Sequence, residues 1–454
     1  MLYMAHKKLY PRAGMLLPSL AIAALAGCQT TITPASTPTS QASTQTPVQP
    51  SKPDAPVDPQ RAIVNVEDAA AARRAVVKND QPLRAFAIME KVVSKQKLMA
   101  MYASQFSAFL GRDALTRELA NAGGRPSAPA KLTNVSDLTA VDAIQEIVAA
   151  SKSYRVVILS EEHNSQQERV FAHLLAKALK TAGFTHLGAE AIWPKGIEDL
   201  KKNGPSSTSG FYTFDPVFAD FLRQAKAMKY DLFAYEQREE QNVKGDDIAN
   251  GLARERAQAE NIKQILDANP NANIFIYAGG GHGRKIPDSG GKIFMGSHLV
   301  ALMGTDVLSI RQNIPQSKPA FDASQYQAVA PALLNSKSTL FRYKDENKDR
   351  KWLTDPGYDM VVFHPRVPEI LGRGSWMTLD GYRQLHVVKI SPLPERTLLR
   401  ARAIPLQTGG IAMDQVLILP LESEAALFLP VGQYELYRES ESGETEKIGR
   451  VTIK

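Results

Sequence analysis

Cysteine is almost missing from this 454-residue chain, with Cys28 its only example. One thiol excludes an intrachain disulfide framework and any multi-cysteine zinc or iron–sulfur site. Long apolar runs are missing after residue 30, where no stretch approaches the roughly 18 apolar residues needed to cross a bilayer; a multi-span membrane protein is excluded. Basic runs interleaved with aromatics are also missing. The net charge is only +7, and three of those positive charges sit at Lys7, Lys8 and Arg12. No nucleic-acid partner is expected. HExxH, GxSxG and P-loop signatures do not occur. Gly279 and Gly281 begin like a dinucleotide loop, but Arg284 stands where the third glycine belongs. Asp345, Asn347 and Asp349 begin like a calcium loop, but Arg350 holds its glycine position and Pro356 its bidentate-acid position. A charged surface loop is expected there.

What is present is globular composition, 44% hydrophobic and 22% charged, in a chain too long for one ordinary core. Residues 1–27 have a positive start, a short apolar segment over Met15–Ala26 and small residues before Cys28, which is the form of a cleaved secretory signal. Leu25-Ala26-Gly27-Cys28 resembles a bacterial lipobox. That resemblance implies cleavage before Cys28 and lipidation of its sulfur and amino group, and two or more acyl chains anchor stably. Gln29, in place of the aspartate that signals inner-membrane retention, directs the expectation to the outer membrane, facing the periplasm. Residues 28–60 are rich in Ser, Thr, Pro and Gln and nearly free of hydrophobes, so a disordered tether is expected.

Three further segments follow. Residues 61–125 read as helical, with Leu83, Met89, Val92, Phe106 and Phe109 on apolar stripes, and Gly123-Gly124 and Pro126 as breakers. Residues 130–370 alternate strand and helix. Strands are expected at 155–159, 185–189, 231–235, 273–278, 307–310 and 358–363, with helices over 141–150, after 165, and over 216–229, 246–268 and 295–303. Repeated βα units with continuously apolar strands predict a mainly parallel sheet flanked by helices. Residues 376–454 hold only short apolar runs separated by turns, which predicts a small all-β, sandwich-like part with a structural or docking role.

Ligands of open parallel sheets bind beyond the carboxyl ends of the strands. The predicted strands run there into Ser160-Glu161-Glu162-His163, Glu190, Glu236 and Gly279-Gly280-Gly281-His282. Glu161 and His163 are two apart, so an extended backbone points them the same way. The glycines allow close backbone approach before His282.

The strand, motif and helix VVILSEEHNSQQERVFAHLLAKAL resemble the opening of the superfamily that includes erythromycin esterases, TIKI-type proteases and ChaN-like haem-binding lipoproteins. RERAQAENIKQIL over 254–266 resembles the esterases' helix motif. IFIYAGGGHGRK, followed by Phe294-Met295-Gly296, resembles the group's last strand and histidine. Ser160 replaces the first motif's glycine, and Glu255 and Gln258 replace residues of the helix motif. Gln167, Glu168 and Arg169 stand where ChaN-like proteins have paired histidines. The resemblance, over about residues 140–370, implies Glu161, His163, Glu190 and His282 as catalytic residues. It adds Arg254 and Asn261 on one helix face as substrate-binding residues. Glu236 joins them on strand-end placement. The expected activity is hydrolysis of an ester, lactone or peptide by activated water. His163, His282 and Glu190 are candidate ligands for a divalent metal ion. A haem- or metal-binding lipoprotein and a non-catalytic envelope scaffold remain open as alternatives.

Overall fold

The computed structural model describes residues 66–95, 99–122, 134–243, 247–316, 322–335, 337–345, 351–407 and 409–454. Cys28, the tether, the breakers at 123–129 and most of the acidic 345–349 segment lie outside them. Among the described residues no helix is long and apolar enough to cross a membrane.

The first segment forms four helices, α1 (Val66–Asn79), α2 (Pro82–Lys95), α3 (Ala100–Ala108) and α4 (Asp113–Ala122). The central part follows as β1 (Leu138–Asp142), α5 (Ala143–Ser151), β2 (Val156–Glu161), α6 (Gln166–Thr181), β3 (His186–Ala189), α7 (Ile197–Asn203), α8 (Pro216–Ala227), β4 (Asp231–Phe233), α9 (Asp247–Ala268), β5 (Ile274–Gly279), α10 (Met295–Met303), β6 (Leu308–Asn313), α11 (Ser324–Val329), β7 (Thr339–Tyr343) and β8 (Met360–Phe363). Its strands make one sheet in the order β1-β7-β8-β6-β2-β5-β3-β4. The six strands from β8 to β4 are parallel, while β7 pairs antiparallel with β1 and β8. The expected mainly parallel α/β sheet is therefore present, with an antiparallel edge that periodicity did not reveal. Strands β1 and β7 are five residues each and carry polar residues, and the last two residues of β1 fall within the helix expected over 141–150, which begins only at Ala143.

Helix starts are set by local side chains. Ser165 caps α6 by accepting the Glu168 amide at 3.2 Å, Asp142 caps α5, and Asp215 with Pro216 starts α8. Gly183, at φ +96°, follows α6 and turns the chain towards β3.

After a short hairpin of β9 (Glu369–Ile370) and β10 (Arg373–Gly374), the chain is all antiparallel β. Strands β11 (Gln384–Lys389) and β14 (Glu424–Leu429) form one pair. Strands β12 (Thr397–Ala403), β13 (Asp414–Ile418), β15 (Gly432–Ser440) and β16 (Thr445–Ile453) form a sheet in the order β13-β12-β15-β16. Leu399, Val416, Leu427, Leu429 and Leu436 fill the space between them.

One apolar cluster runs through all three parts. It joins Phe86, Phe106 and Phe109 of the first helices to Val157, Leu159 and Tyr277 of the sheet and to Leu398 and Leu417 of the β part. Polar ties cross the same seams. Glu439 of β15 accepts the amide of Leu83 at the start of α2, Arg396 binds Glu90 in a bidentate pair, and buried Arg383 binds Asp220 of α8.

Candidate functional site

Adjacent parallel strands deliver the site. Register pairs Glu161 with Gly279 across β2 and β5, and Ala189 with Tyr277 across β3 and β5. The residues just past β2, β3 and β5 therefore emerge side by side. Glu161, His163, Glu190, Glu236, Arg254 and His282 come together at this rim, although more than 100 residues of sequence separate the first from the last.

His163 is held from three sides. Its Nδ1 lies 2.9 Å from Glu161 Oε1, its ring stacks on Tyr212 at 4.3 Å, and its Nε2 faces Glu190 Oε1 at 3.7 Å. Glu161 is itself fixed. The buried Arg169 guanidinium grips it with two bonds of 2.9 and 3.0 Å, and the Tyr277 hydroxyl donates to it at 2.6 Å. Burial opposes ionisation of Glu161, but Arg169, with help from His163, outweighs it and holds the carboxyl below its ordinary range. An ionised Glu161 accepts from Nδ1–H, which leaves the neutral ring's lone pair on Nε2.

His282 sits in a different field. Its Nδ1 is 2.7 Å from Glu255 and its Nε2 is 3.4 Å from Glu190. Burial would lower its pKa, but the two carboxylates outweigh that and raise it to about 10. Arg254 also approaches Nε2 at 3.2 Å, a contact that taken alone would favour a lone pair there. Two carboxylates against one imidazole decide the matter for the cation. Glu255 is anchored by Lys292 at 2.8 Å and by the Met295 amide at the start of α10.

Glu190 is the hub between the rings. Burial raises its pKa, but His282, His163 and Arg254 together take it well below the carboxylate range. It accepts from Arg254 at 2.8 Å and from the Gly279 amide. Arg254 also makes two bonds to Glu236, at 2.7 and 3.0 Å. The shared helix face read from the sequence is real in the sense that Arg254, Gln258 and Asn261 all bond Glu236. Asn261, however, lies one layer back. Its amide bonds the Tyr235 and Glu236 carbonyls and accepts from Arg238 and Gln241, bracing the loop after β4 rather than facing the histidines.

Gly279 explains part of the glycine run. A Cβ there would lie 1.8 Å from His163 Cε1 and 2.2 Å from Nε2. The close approach anticipated for a ligand is made by His163 itself.

A divalent cation held by His163, Glu190 and His282 does not fit this arrangement. The Arg254 guanidinium stands where the cation would sit, 2.8 Å from Glu190 and 3.2 Å from His282 Nε2. Among the described residues no group of three His, Cys, Asp or Glu is placed to hold a metal ion.

Glu255, Arg169, Asp215, Tyr212 and Tyr277 were not singled out by sequence reasoning as parts of the site. Glu255 was within reach, since it follows Arg254 and the turn of α9 carries it towards α10. Tyr212 left no trace, because it sits in a 3₁₀ turn between α7 and α8.

No family model matches this chain, and no curated protein matches it. Among solved structures it is similar to the type III effector HopBA1, with 15% identity over 49% of this chain and 93% of that one and a TM-score of 0.31. It is also similar to ChaN of Campylobacter jejuni, a structure with cofacially bound haem, with 11% identity over 44% of this chain and 97% of that one and a TM-score of 0.29. The C-terminal region of Pasteurella multocida toxin, described with a thiol-protease-like catalytic triad, matches at 10% identity over 78% of this chain and 55% of that one, with a TM-score of 0.30. These likenesses are loose.

Proposed function

We propose that this chain is a hydrolase that adds water to an ester, lactone or peptide carbonyl, with His163 as general base. The observation that carries the reading is the orientation of one imidazole. Its Nδ1 is tied to an ionised, doubly anchored carboxylate and its Nε2 is left to accept a proton. In the proposed reaction a water gives its proton to His163 Nε2 as its oxygen bonds the carbonyl carbon. The carbonyl π electrons move to oxygen, and the positive charges of Arg254 and His282 stabilise that oxyanion. Glu161 and Glu190 stabilise the imidazolium. When the tetrahedral adduct collapses, the bond to the leaving alcohol or amine breaks and Nε2 returns the proton to it. The order of Glu161-x-His163, Glu190 and His282 along the chain, which resembles the esterase and TIKI-type group, agrees with this assignment.

A panel of esters, lactones and peptides, assayed before and after exhaustive chelation, tests it. Turnover that survives chelation and disappears in His163→Ala is expected. Turnover that needs added metal, or that His163→Ala retains, contradicts the reading.

Cys28 supports a companion proposal, that the protein is lipid-anchored at the outer membrane with its folded part in the periplasm. Cys28→Ser is expected to move the chain from the membrane to the soluble fraction. A wild-type chain that fractionates with membranes without an acyl group on Cys28 contradicts it.

A further inference from the structure

Arg284 stands apart from the other arginines near the rim. Arg169, Arg254 and Arg311 each pair with a carboxylate, namely Glu161, Glu236 and Asp355. Among the described residues no carboxylate pairs with Arg284, and its Nε is buried with no acceptor. The side chain is nevertheless well placed. Its guanidinium lies over the Phe294 ring at 5.5 Å, and its Nε passes 3.5 Å from where a Cβ on Gly357 would stand.

Its location follows from the same strand end that supplies His282. Only Gly283 separates them, and the backbone between is fixed. The Arg284 amide donates to the Gly281 carbonyl at 2.9 Å, and the Gly296 amide at the start of α10 donates to the His282 carbonyl at 2.8 Å. Beside this turn the buried Ser160 hydroxyl interacts with Tyr358, and a Cβ on Gly283 would come within 2.6 Å of it. Ser160 stands where the resembling motif has glycine. A half-buried guanidinium with no acceptor, lying over Phe294 and two residues along the chain from His282, suits a planar anion.

We propose that Arg284 anchors a carboxylate-binding subsite next to His282, so that the substrate is an ester or amide of a dicarboxylic acid. This rests on the hydrolase reading above for the reaction and on Arg284 alone for the anion. The planar fork matches a carboxylate with two parallel bonds, and the ion pair forms without breaking an existing one.

Two arms test it. In the first, glutarate and inorganic phosphate are titrated calorimetrically into the wild-type protein, Arg284→Gln and His163→Ala. Glutarate is expected to bind the wild type and His163→Ala alike, and Arg284→Gln at least about tenfold more weakly, the effect of losing one charge-assisted pair. Equal binding to wild type and Arg284→Gln, or no binding to wild type, overturns the subsite. Phosphate binding tighter than glutarate through Arg284 overturns the carboxylate assignment. In the second arm, kcat/KM is compared for monomethyl glutarate and methyl butyrate. The acidic ester is expected to be preferred, and Arg284→Gln to narrow that preference at least about tenfold. A preference unchanged by Arg284→Gln overturns the proposal. If glutarate binds through Arg284 but no ester or peptide is hydrolysed, the subsite stands and the hydrolase reading falls.

Discussion

Two regions of this molecule set a histidine beside an arginine–carboxylate pair, and they behave in opposite ways. At the strand ends, His163 bonds Glu161, which Arg169 holds. At the seam between α6 and the C-terminal β part, His173 lies near Asp220, which Arg383 holds. The side chain of His163 keeps 18% of its surface in solvent, and that of His282 keeps 15%. His173 is buried against Tyr382, and desolvation, only partly opposed by Asp220, takes its pKa down to about 4. The same residue types thus lie partly open at the rim in one place and form a structural clamp where the β part covers them in the other. Burial and hydrogen-bond direction separate the two, not composition.

The comparison breaks first on activity. His163→Ala is expected to lower kcat by about 10²–10⁴-fold, the range for a lost general base, with an unchanged melting temperature. His173→Ala is expected to leave kcat per folded molecule unchanged. Equal kinetic losses in both variants would erase the distinction.

Stability should reverse the ranking. Arg383→Ala strands the fully buried Asp220 carboxylate and is expected to cost about 3–5 kcal/mol in denaturant unfolding. A loss below about 1 kcal/mol, the scale of an exposed pair, would mean that the seam opens to water.

The pH dependence sharpens the contrast. His282 has a folded pKa of about 10 against an ordinary 6.5, so its contribution is complete below about 6.5 and is lost as pH rises towards 10. His173 and His364, at about 4 and about 3, work the other way. The unfolded chain takes up their protons first, so their contribution is present above about 6.5 and is lost as pH falls towards 4 and 3. Glu255→Gln should flatten the alkaline limb of melting temperature against pH, and His173→Gln the acid limb. An unchanged alkaline limb in Glu255→Gln would contradict the charged state of His282.

The smallest effect belongs to a pair of glycines. Gly279→Ala pushes a methyl into the His163 ring and should cut activity by at least about tenfold, the scale of a misplaced catalytic group. At Gly449 on β16 an added Cβ meets nothing within 4 Å, and Gly449→Ala should stay within about 0.5 kcal/mol. Similar effects at both positions would mean that His163 has room to move.

Much of this could be read in the sequence because it depends on local periodicity. Helix α10 was expected over Met295–Met303 and occupies that range, and the short apolar runs expected over 376–454 become antiparallel strands. The rim residues were legible because the strands are parallel, which forces the residues after them to one edge. Contacts supplied from far along the chain were not. His173 reads as the solvent side of an amphipathic helix, yet Met377, Leu379 and Phe428 help cover that flank of α6. The contrast between His163 and His282 was hidden for the same reason, since it is set by Arg169 on one side and by Glu255 with Lys292 on the other.

The central claim is that the rim holds one histidine as a base and the other as a fixed cation. Two-bond proton–nitrogen correlation spectra of the histidine rings at pH 8 test it directly. His282 should appear with both nitrogens protonated, and neutral His163 with its proton on Nδ1. A neutral His282, or a His163 ring protonated only on Nε2, would contradict the account.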